Sequence, residues 1–257
     1  MSSRAHLAEH GWLIVRGAIA PARIAELERA LDAVVPEASY PAWGDRVVEL
    51  AGISRASPAL AALAADAALA ELAGRALGAA RVQLLQDTVF IKPAARPAAV
   101  AWHQDFTYLG YLDRASAVTV RLALTPCTIA SGCLRVLDGS HRWPHTPANL
   151  ALRRDHVEDA LAALPPELRA HADGGGTPLE LEPGDVTVHH CLTFHGSEPN
   201  TSDRPRKTLA VRLVDGACRL VPERLPSPEA RGYFPIDADG HLDAAAFPVL
   251  WADTVAP

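Results

Sequence analysis

Residues 82–92 read VQLLQDTVFIK, and three further runs of the same character follow: AVTVRLAL (117–124), DVTVHHCLTF (185–194) and KTLAVRLV (207–214). β-Branched residues recur in all four runs, and Gly, Pro, Asn and Asp lie between them, which is the pattern of short β-strands joined by turns. Sequence typical of helices precedes the first run. We therefore predict a mainly β fold, a sandwich or barrel with flanking α-helices.

The flanking helices are predicted within about residues 20–78. Apolar residues recur at helical spacing in ARIAELERALDAV (22–34), directly after Pro21. A second helical stretch is predicted over residues 57–77, where Ser57 can cap the helix and Pro58 suits its first turn. The β region then extends over about residues 80–215.

Composition limits the number of domains and the kinds of partner. The chain has 257 residues, of which 49% are apolar and 21% charged, and this suits one globular domain over residues 1–257. The net charge is −6, and the lysines and arginines are scattered along the chain. This pattern predicts no nucleic-acid partner and favours a small-molecule substrate, but it leaves the oligomeric state open.

Two features predict a cytoplasmic protein that has no membrane partner. Charges at Arg4, Glu9 and Arg16 interrupt the N-terminal apolar residues, unlike the apolar region of a signal peptide, and no apolar run is long enough to cross a membrane. The four cysteines form no CxxC pair and are too sparse for a disulfide framework, which is typical of reduced thiols.

An insertion is predicted between two strand regions, over about residues 143–178. It includes a helical stretch near residues 157–164 and the run Gly174-Gly175-Gly176. Insertions of this length serve as lids or binding loops, but they also occur as surface decorations. The sequence leaves both interpretations open.

A short motif with metal-binding potential, Trp102-His103-Gln104-Asp105, follows a proline-containing loop. In an extended segment, side chains two residues apart point to the same side, so His103 and Asp105 can converge on one ion while Gln104 faces away. Alone, this triplet is a weak signal, because two surface residues would give the same pattern.

A second cluster, residues 194–200, ends the strand predicted to start after the turn Pro183-Gly184-Asp185. His195 would add a third ligand, giving two histidines and one carboxylate on one face of a metal. That set leaves positions open, as non-haem Fe(II) oxygenases require. Zinc is the competing metal, since it also takes histidine and carboxylate ligands.

Arg206 is a candidate for binding a carboxylate. It lies eleven residues after His195, on or just before the strand KTLAVRLV, and an intervening turn would bring it back beside the metal. Its planar guanidinium could hold a carboxylate by two parallel hydrogen bonds. Thr208 shares the face of Arg206 and could add a hydroxyl donor.

With these motifs the chain resembles the phytanoyl-CoA dioxygenase-like family of Fe(II)/2-oxoglutarate-dependent oxygenases. An N-terminal phrase, His10 to Gly17, also looks like the opening of that family. The matching motifs are spread over roughly residues 80–215, and they comprise Phe90-Ile91-Lys92-Pro93, Trp102-His103-Gln104-Asp105 with Tyr108, Gly132 to Val136, Gly139-Ser140-His141, Pro183-Gly184-Asp185, His190, His195-Gly196-Ser197 to Asn200, Ser202 and Arg206.

The resemblance implies a double-stranded β-helix, the jelly-roll of cupin-like proteins, with helices packed outside. It implies that His103, Asp105 and His195 are the iron ligands and that Arg206 binds the distal carboxylate of 2-oxoglutarate. Lys92 matches a lysine that helps to hold this cosubstrate.

The implied reaction is the hydroxylation of an unactivated C–H bond, with conversion of 2-oxoglutarate and O2 to succinate and CO2. Desaturation, cyclisation and epimerisation are alternatives in the same family. A halogenase would need a vacant position where Asp105 stands, and a zinc hydrolase would have no use for a carboxylate clamp. A non-catalytic metal-binding jelly-roll is a further alternative.

Arg121 departs from the family pattern, which commonly has an aromatic residue in this strand. Alternation in residues 118–124 separates Thr119, Arg121 and Ala123 from four aliphatic residues. An arginine inside the barrel would need an anionic partner, either substrate or 2-oxoglutarate. Alternatively, it pairs with a scaffold carboxylate or points to water. Tyr108 is a further candidate for lining the substrate pocket, or for packing.

Two adjacent histidines, His189 and His190, must face opposite sides of their strand, so at least one points away from the metal. His190 matches a family position that is often histidine. We therefore predict a supporting or packing role for His190.

Overall fold

The computed structural model describes residues 2–143, 166–225 and 232–253. Within these residues, five α-helices and eleven β-strands form. The helices are α1 (Ser3–His10), α2 (Pro21–Val34), α3 (Pro58–Ala64), α4 (Ala67–Leu77) and α5 (Pro166–Asp173). The strands are β1 (Trp12–Val15), β2 (Val48–Ala51), β3 (Arg81–Lys92), β4 (Val100–His103), β5 (Ala117–Ala123), β6 (Leu134–Val136), β7 (Thr177–Leu179), β8 (Val186–His190), β9 (His195–Ser197), β10 (Arg206–Asp215) and β11 (Val249–Ala252).

The strands form two antiparallel sheets. The larger has the order β1-β8-β5-β10-β3-β11, with β2 also paired to β3, and the smaller has the order β4-β9-β6-β7. Strands that are distant in sequence are neighbours in both sheets, and the fold is the jelly-roll that the sequence predicted. No helix among the described residues is long and apolar enough to cross a membrane.

The outer face of the larger sheet packs against helices α2, α3 and α4. Val118, Val120, Leu122 and Leu124 all belong to this core, which confirms the alternation predicted for that strand. On β10, odd-numbered residues such as Leu209 join the same core. The other face of each strand therefore points into the barrel, and there the sheet carries mostly polar residues.

The N-terminal helices agree with the prediction in position but differ in detail. Helix α2 begins at Pro21, as expected. The stretch 57–77 is not one helix, because α3 ends at Ala64 and α4 begins at Ala67. The Ser57 side chain makes no cap hydrogen bond, whereas the Asp66 carboxylate accepts from two backbone N–H groups and caps α4.

Most of the predicted insertion, residues 144–165, lies outside the described residues, so a lid and a surface decoration both stay open. At its C-terminal end, the glycine run follows α5 and leads directly into β7. Gly175 and Gly176 have positive φ, and their carbonyl oxygens accept hydrogen bonds from the Arg135 side chain. Arg135 thus holds this part of the insertion against β6.

Candidate functional site

Two neighbouring strands of the smaller sheet bring two histidines together. His103 ends β4 and His195 begins β9, and the two residues are paired across the ladder, with ring centroids 4.2 Å apart. Asp105 lies two residues beyond β4, at the start of a short 3-10 helix, Asp105–Thr107. The three residues therefore meet at one end of the barrel.

These three side chains, here called the metal centre, converge on one point. The Nε2 atoms of His103 and His195 each lie 3.8 Å from Oδ1 of Asp105, and the three ligand atoms are all within 4.8 Å of one another. The Nδ1 atom of each histidine lies within hydrogen-bond distance of a backbone carbonyl, that of Ala101 at 2.7 Å and that of Thr193 at 2.9 Å. Donation from Nδ1–H leaves Nε2 free to bind a metal.

Two details of this geometry differ from the sequence prediction. Asp105 belongs to a 3-10 helix rather than to an extended segment, so strand alternation does not explain its convergence with His103. The strand that starts after the Pro183-Gly184-Asp185 turn ends at His190 in the larger sheet, and the chain crosses to the smaller sheet before His195. Gln104 faces away, as predicted, and its amide donates to Leu192 O at 2.8 Å.

Asp105 is surrounded by hydrogen-bond donors. The Thr119 hydroxyl donates to Oδ2 at 2.7 Å, and Arg212 Nη2 donates to Oδ1 at 3.1 Å. His189 Nε2 lies 3.5 Å from Oδ2. Burial alone would raise the pKa of Asp105, but Arg212 and the neighbouring histidines outweigh it and hold the pKa well below its usual range. Asp105 is therefore an anion at neutral pH.

Both candidate histidine ligands are neutral at pH 7. Burial lowers the pKa of His103, against the opposing effect of Asp105. Burial, together with the nearby His103, lowers the pKa of His195 well below its usual range. A neutral imidazole is the form that binds a metal ion, so the metal centre needs no deprotonation of histidine before it binds an ion.

Two site residues were missed by the sequence analysis. His189, rather than His190, points into the barrel, with its ring centroid 4.5 Å from that of His195, whereas His190 turns towards His141. Arg212 reaches Asp105 from β10. The signal was present in both strands, because alternation places His189 with Thr187 and Arg212 with Thr208 on the inward face.

A second group of inward side chains, here called the cation pocket, comprises Lys92, Arg121, Arg206 and Thr208. Lys92 and Arg206 are paired across β3 and β10, and both are almost fully buried. Lys92 Nζ donates to the carbonyl oxygens of Ser197, at 3.1 Å, and of Glu198. Arg206 Nη1 donates to the Gly132 carbonyl, and its Nε, also buried, has no hydrogen-bond partner.

Arg121 faces the barrel interior, so the alternative that it points to water is wrong. Its Nε donates to the Thr208 hydroxyl at 3.2 Å, and its guanidinium carbon lies 4.5 Å from the centre of the Phe90 ring. Burial, and then the nearby charge of Arg206, lower its pKa to about 10, while the carboxylates of Asp105 and Glu49 oppose the shift. Arg121 therefore stays charged, next to a second buried guanidinium.

Lys92, like Arg121, lies close to other buried positive charges. Burial, followed by the charges of Arg206 and Arg121, lowers its pKa to about 6. The hydrogen bonds of all three cations go to carbonyl and hydroxyl oxygens. Because buried charges are costly without a counter-ion, this arrangement suits an anionic ligand.

Buried polar atoms without partners support a ligand-binding interior. Among the described residues, seven buried side-chain atoms have no hydrogen-bond partner, and five of them line the barrel: Thr187 Oγ1, both ring nitrogens of His189, Arg206 Nε and Arg212 Nε. Native proteins rarely leave such groups unpaired. The residues present therefore fit a metal ion and a small anion that would together occupy this space.

Tyr108 lies at the rim of the metal centre. Its ring packs edge-on against His103 with centroids 5.8 Å apart, and 45% of the residue is exposed. Contact with a substrate that approaches from solvent stays a prediction for Tyr108, beside the alternative of packing. Tyr111, in contrast, is buried against Phe234.

Comparison with known proteins agrees with this geometry. Residues 7–208 match the family model described as Phytanoyl-CoA dioxygenase (PhyH). The chain belongs to this family. Its similarity to ectoine dioxygenase of Sphingopyxis alaskensis is 33% identity over 165 residues, which cover 58% of this chain and 52% of that protein. The present chain therefore spans about half the length of the curated relatives that it matches over this region.

One relative is similar over nearly its whole length. L-proline trans-4-hydroxylase of Streptomyces griseoviridis is 24% identical over 269 residues, with 93% of this chain and 97% of that protein covered.

Solved structures show the same fold as this PhyH family member. The ectoine dioxygenase EctD from S. alaskensis, solved with 2-oxoglutarate and 5-hydroxyectoine, has a TM-score of 0.69 at 27% identity, covering 86% of this chain and 78% of that one. The carbocyclase SnoK from nogalamycin biosynthesis has a TM-score of 0.75 at 20% identity, covering 97% and 96%. The similarity to SnoK, at 20% identity, concerns the fold alone.

Proposed function

We propose that this chain is an Fe(II)- and 2-oxoglutarate-dependent dioxygenase that hydroxylates an unactivated C–H bond of a small molecule. In this reaction 2-oxoglutarate and O2 become succinate and CO2. The observation that carries the proposal is the position of the metal centre in the same barrel as a pocket of buried cations. A zinc hydrolase would need the metal ligands but would have no use for that pocket.

The metal centre would hold the iron through His103, Asp105 and His195. Three protein ligands would leave positions open on the metal, as non-haem Fe(II) oxygenases require. Bound iron supplies the oxidising chemistry, and the protein supplies binding and orientation. Thr119 and Arg212 orient Asp105 because each donates to a different carboxylate oxygen.

The cation pocket would hold the distal carboxylate of 2-oxoglutarate. Arg206 is the proposed main anchor, because its buried Nε lacks a partner and a guanidinium can bind a carboxylate by two hydrogen bonds. Thr208 and Lys92 would add donors. Arg121 lies beside Thr208, so we propose that it acts as a second anchor for 2-oxoglutarate and not as the residue that selects the substrate.

The outcome of the oxidation is a separate question, because desaturation, cyclisation and epimerisation can use the same residues. Among similar folds, two solved structures are of the carbocyclase SnoK and the epimerase SnoN from nogalamycin biosynthesis. Product analysis by mass spectrometry distinguishes these outcomes from hydroxylation. A small-molecule substrate and a cytoplasmic location remain part of the proposal.

The test is a metal and cosubstrate titration without oxygen. Adding Fe(II) and then 2-oxoglutarate to the wild-type protein should produce a weak visible charge-transfer band. The band should be lost in His103→Ala and in Asp105→Ala, and it should persist in His171→Ala, since His171 is exposed on α5. A full-strength band in both ligand variants contradicts the assignment. Succinate release can then be screened against candidate substrates.

A further inference from the structure

Arg212 has no role in the scheme above beyond its contact with Asp105. On β10 it is paired with Thr119, the residue that holds the other oxygen of Asp105, so its side chain lies at the level of the metal centre. Nη2 donates to Asp105 Oδ1 at 3.1 Å, Nη1 donates to Gln86 Oε1 at 2.5 Å, and Nε has no hydrogen-bond partner.

The contact with Asp105 uses the oxygen that a metal ion would take. Oδ1 is the oxygen that lies 3.8 Å from both histidine Nε2 atoms. A metal ion bound there competes with the guanidinium for the same oxygen, which weakens the Arg212 hydrogen bond. In the metal-bound protein, Arg212 therefore has a weaker partner, and its other contact is the neutral amide of Gln86.

Arg212 is separate from the cation pocket. Arg206 is six residues earlier on β10, which is about 20 Å along an extended strand. Arg206 is 2% exposed, whereas the Arg212 side chain is 16% exposed and so borders the solvent from which a substrate enters. The distal carboxylate of one 2-oxoglutarate molecule therefore cannot bind both Arg206 and Arg212.

The balance of charge leaves an anion missing. Even with Lys92 counted as neutral, the described interior carries three guanidiniums, of the buried Arg121 and Arg206 and the mostly buried Arg212, and the carboxylates of Asp105 and, at its edge, Glu49. A divalent metal ion and a 2-oxoglutarate dianion would cancel each other. One positive charge then remains in excess, and it is costly to bury without a counter-ion.

We propose that Arg212 binds an anionic group of the primary substrate, a carboxylate or a similar oxyanion, and so determines which substrates are positioned at the metal. This inference rests on the proposed function, because it assumes that the metal centre and the cation pocket are filled by iron and 2-oxoglutarate. It assigns substrate recognition to Arg212 and leaves Arg121 to the cosubstrate.

The experiment uses acetate and acetamide, which have the same shape and differ in charge, as probes of the anaerobic protein loaded with Fe(II) and saturating 2-oxoglutarate. Their binding is followed by the change in the charge-transfer band. Wild type should bind acetate at least tenfold more tightly than acetamide. With Fe(II) and 2-oxoglutarate titrated to saturation for each variant, Arg212→Gln should lose this preference, and Arg212→Lys should retain part of it. Arg29→Gln, which changes an exposed arginine on α2, should behave as wild type.

The outcomes separate the two proposals. A wild-type protein that forms no band overturns the proposed function and this inference with it. A band without preference for acetate, or an equal preference in Arg212→Gln, overturns the inference alone, since acetate would then bind elsewhere, including at the iron. Weaker binding of 2-oxoglutarate to Arg212→Gln also overturns it, because Arg212 would then serve the cosubstrate.

Discussion

At the metal centre, one carboxylate is surrounded by donors, whereas in the cation pocket the two arginines and the lysine donate only to carbonyl and hydroxyl oxygens. Asp105 accepts from Thr119 and Arg212, so donors of the protein itself compensate its charge. Arg206, in contrast, keeps a buried Nε without a partner. The metal centre is therefore organised before it binds its ion, while the cation pocket depends on a ligand to balance its charge.

The largest expected effect comes from replacing the guanidinium of Arg206, the proposed main anchor of the pocket. Arg206→Lys keeps the charge but loses the planar fork, so 2-oxoglutarate binding should weaken by about ten- to hundredfold, equivalent to about 1.5 to 3 kcal/mol. Titration of the charge-transfer band measures this affinity. Arg204→Lys is the matched control, since Arg204 is exposed. Unchanged affinity in Arg206→Lys would show that Arg206 is not the main anchor of the cosubstrate.

A smaller effect is expected at Arg121, which tests whether the pocket has a second anchor. Arg121→Leu should weaken 2-oxoglutarate binding by about tenfold, because one charge-assisted contact is lost. The affinity for iron, measured without cosubstrate, should stay the same. If 2-oxoglutarate binding survives and only substrate-stimulated turnover is lost, then Arg121 selects the substrate and the assignment to the cosubstrate is wrong.

The metal centre should respond to loss of a donor to its carboxylate. Thr119→Val preserves shape but removes the 2.7 Å hydrogen bond to Asp105 Oδ2, so iron should bind about three- to tenfold more weakly. Competition with a chelator measures the affinity. Thr201→Val, at an exposed threonine, is the control. Equal iron affinity in Thr119→Val and wild type would show that Arg212 alone suffices to hold Asp105.

The smallest expected effect is the uptake of a proton by the protein when 2-oxoglutarate binds. The pKa of Lys92 is about 6 without ligand, so Lys92 is mostly neutral at pH 7.5, and an anion beside it raises that pKa. Binding then takes up as much as one proton, and affinity falls as pH rises between the pKa values of the free and bound states. Calorimetry in two buffers of different ionisation enthalpy measures the uptake. Lys92→Met should show none, and an uptake equal to wild type would exclude Lys92 as its source.

The same shift affects stability without ligand. A lysine with a lowered pKa in the folded state binds fewer protons there than in the unfolded chain between about pH 6 and its ordinary value of 10.5. Its contribution to the free energy of unfolding therefore rises with pH in this window, by about 1.4 kcal/mol per pH unit at most. Below pH 6 the full cost of burying the charge is present.

Sequence alone was sufficient for features that depend on local pattern. Alternation identified the outward aliphatic face of β5, and the motif resemblance identified the jelly-roll and the three residues that meet at the metal centre. It was not sufficient for features set by distant pairing. The 3-10 turn at Asp105 and the sheet change before His195 depend on which strands pair, and local periodicity does not encode this.

Two inward-facing residues of the site, His189 and Arg212, were not predicted from the sequence. Alternation in β8 separates His189 and Thr187 from Val186 and Val188, which belong to the core outside the sheet, and so places His189 on the inward face. Arg212 was not among the candidate residues predicted from the sequence. Its contact with Asp105 spans 107 residues of sequence, and no motif marks it.

The alternation along β10 has a consequence for how such a protein can diverge. Its outward residues hold the scaffold, as when Lys207 binds Asp32 of α2 at 2.7 Å, while its inward residues face the ligands. Mutation on one face therefore leaves the other largely untouched. Ala210 lies between Thr208 and Arg212 on the inward face and can exchange for other small residues at little cost to folding. Related proteins can therefore change their substrate specificity while they keep the same fold.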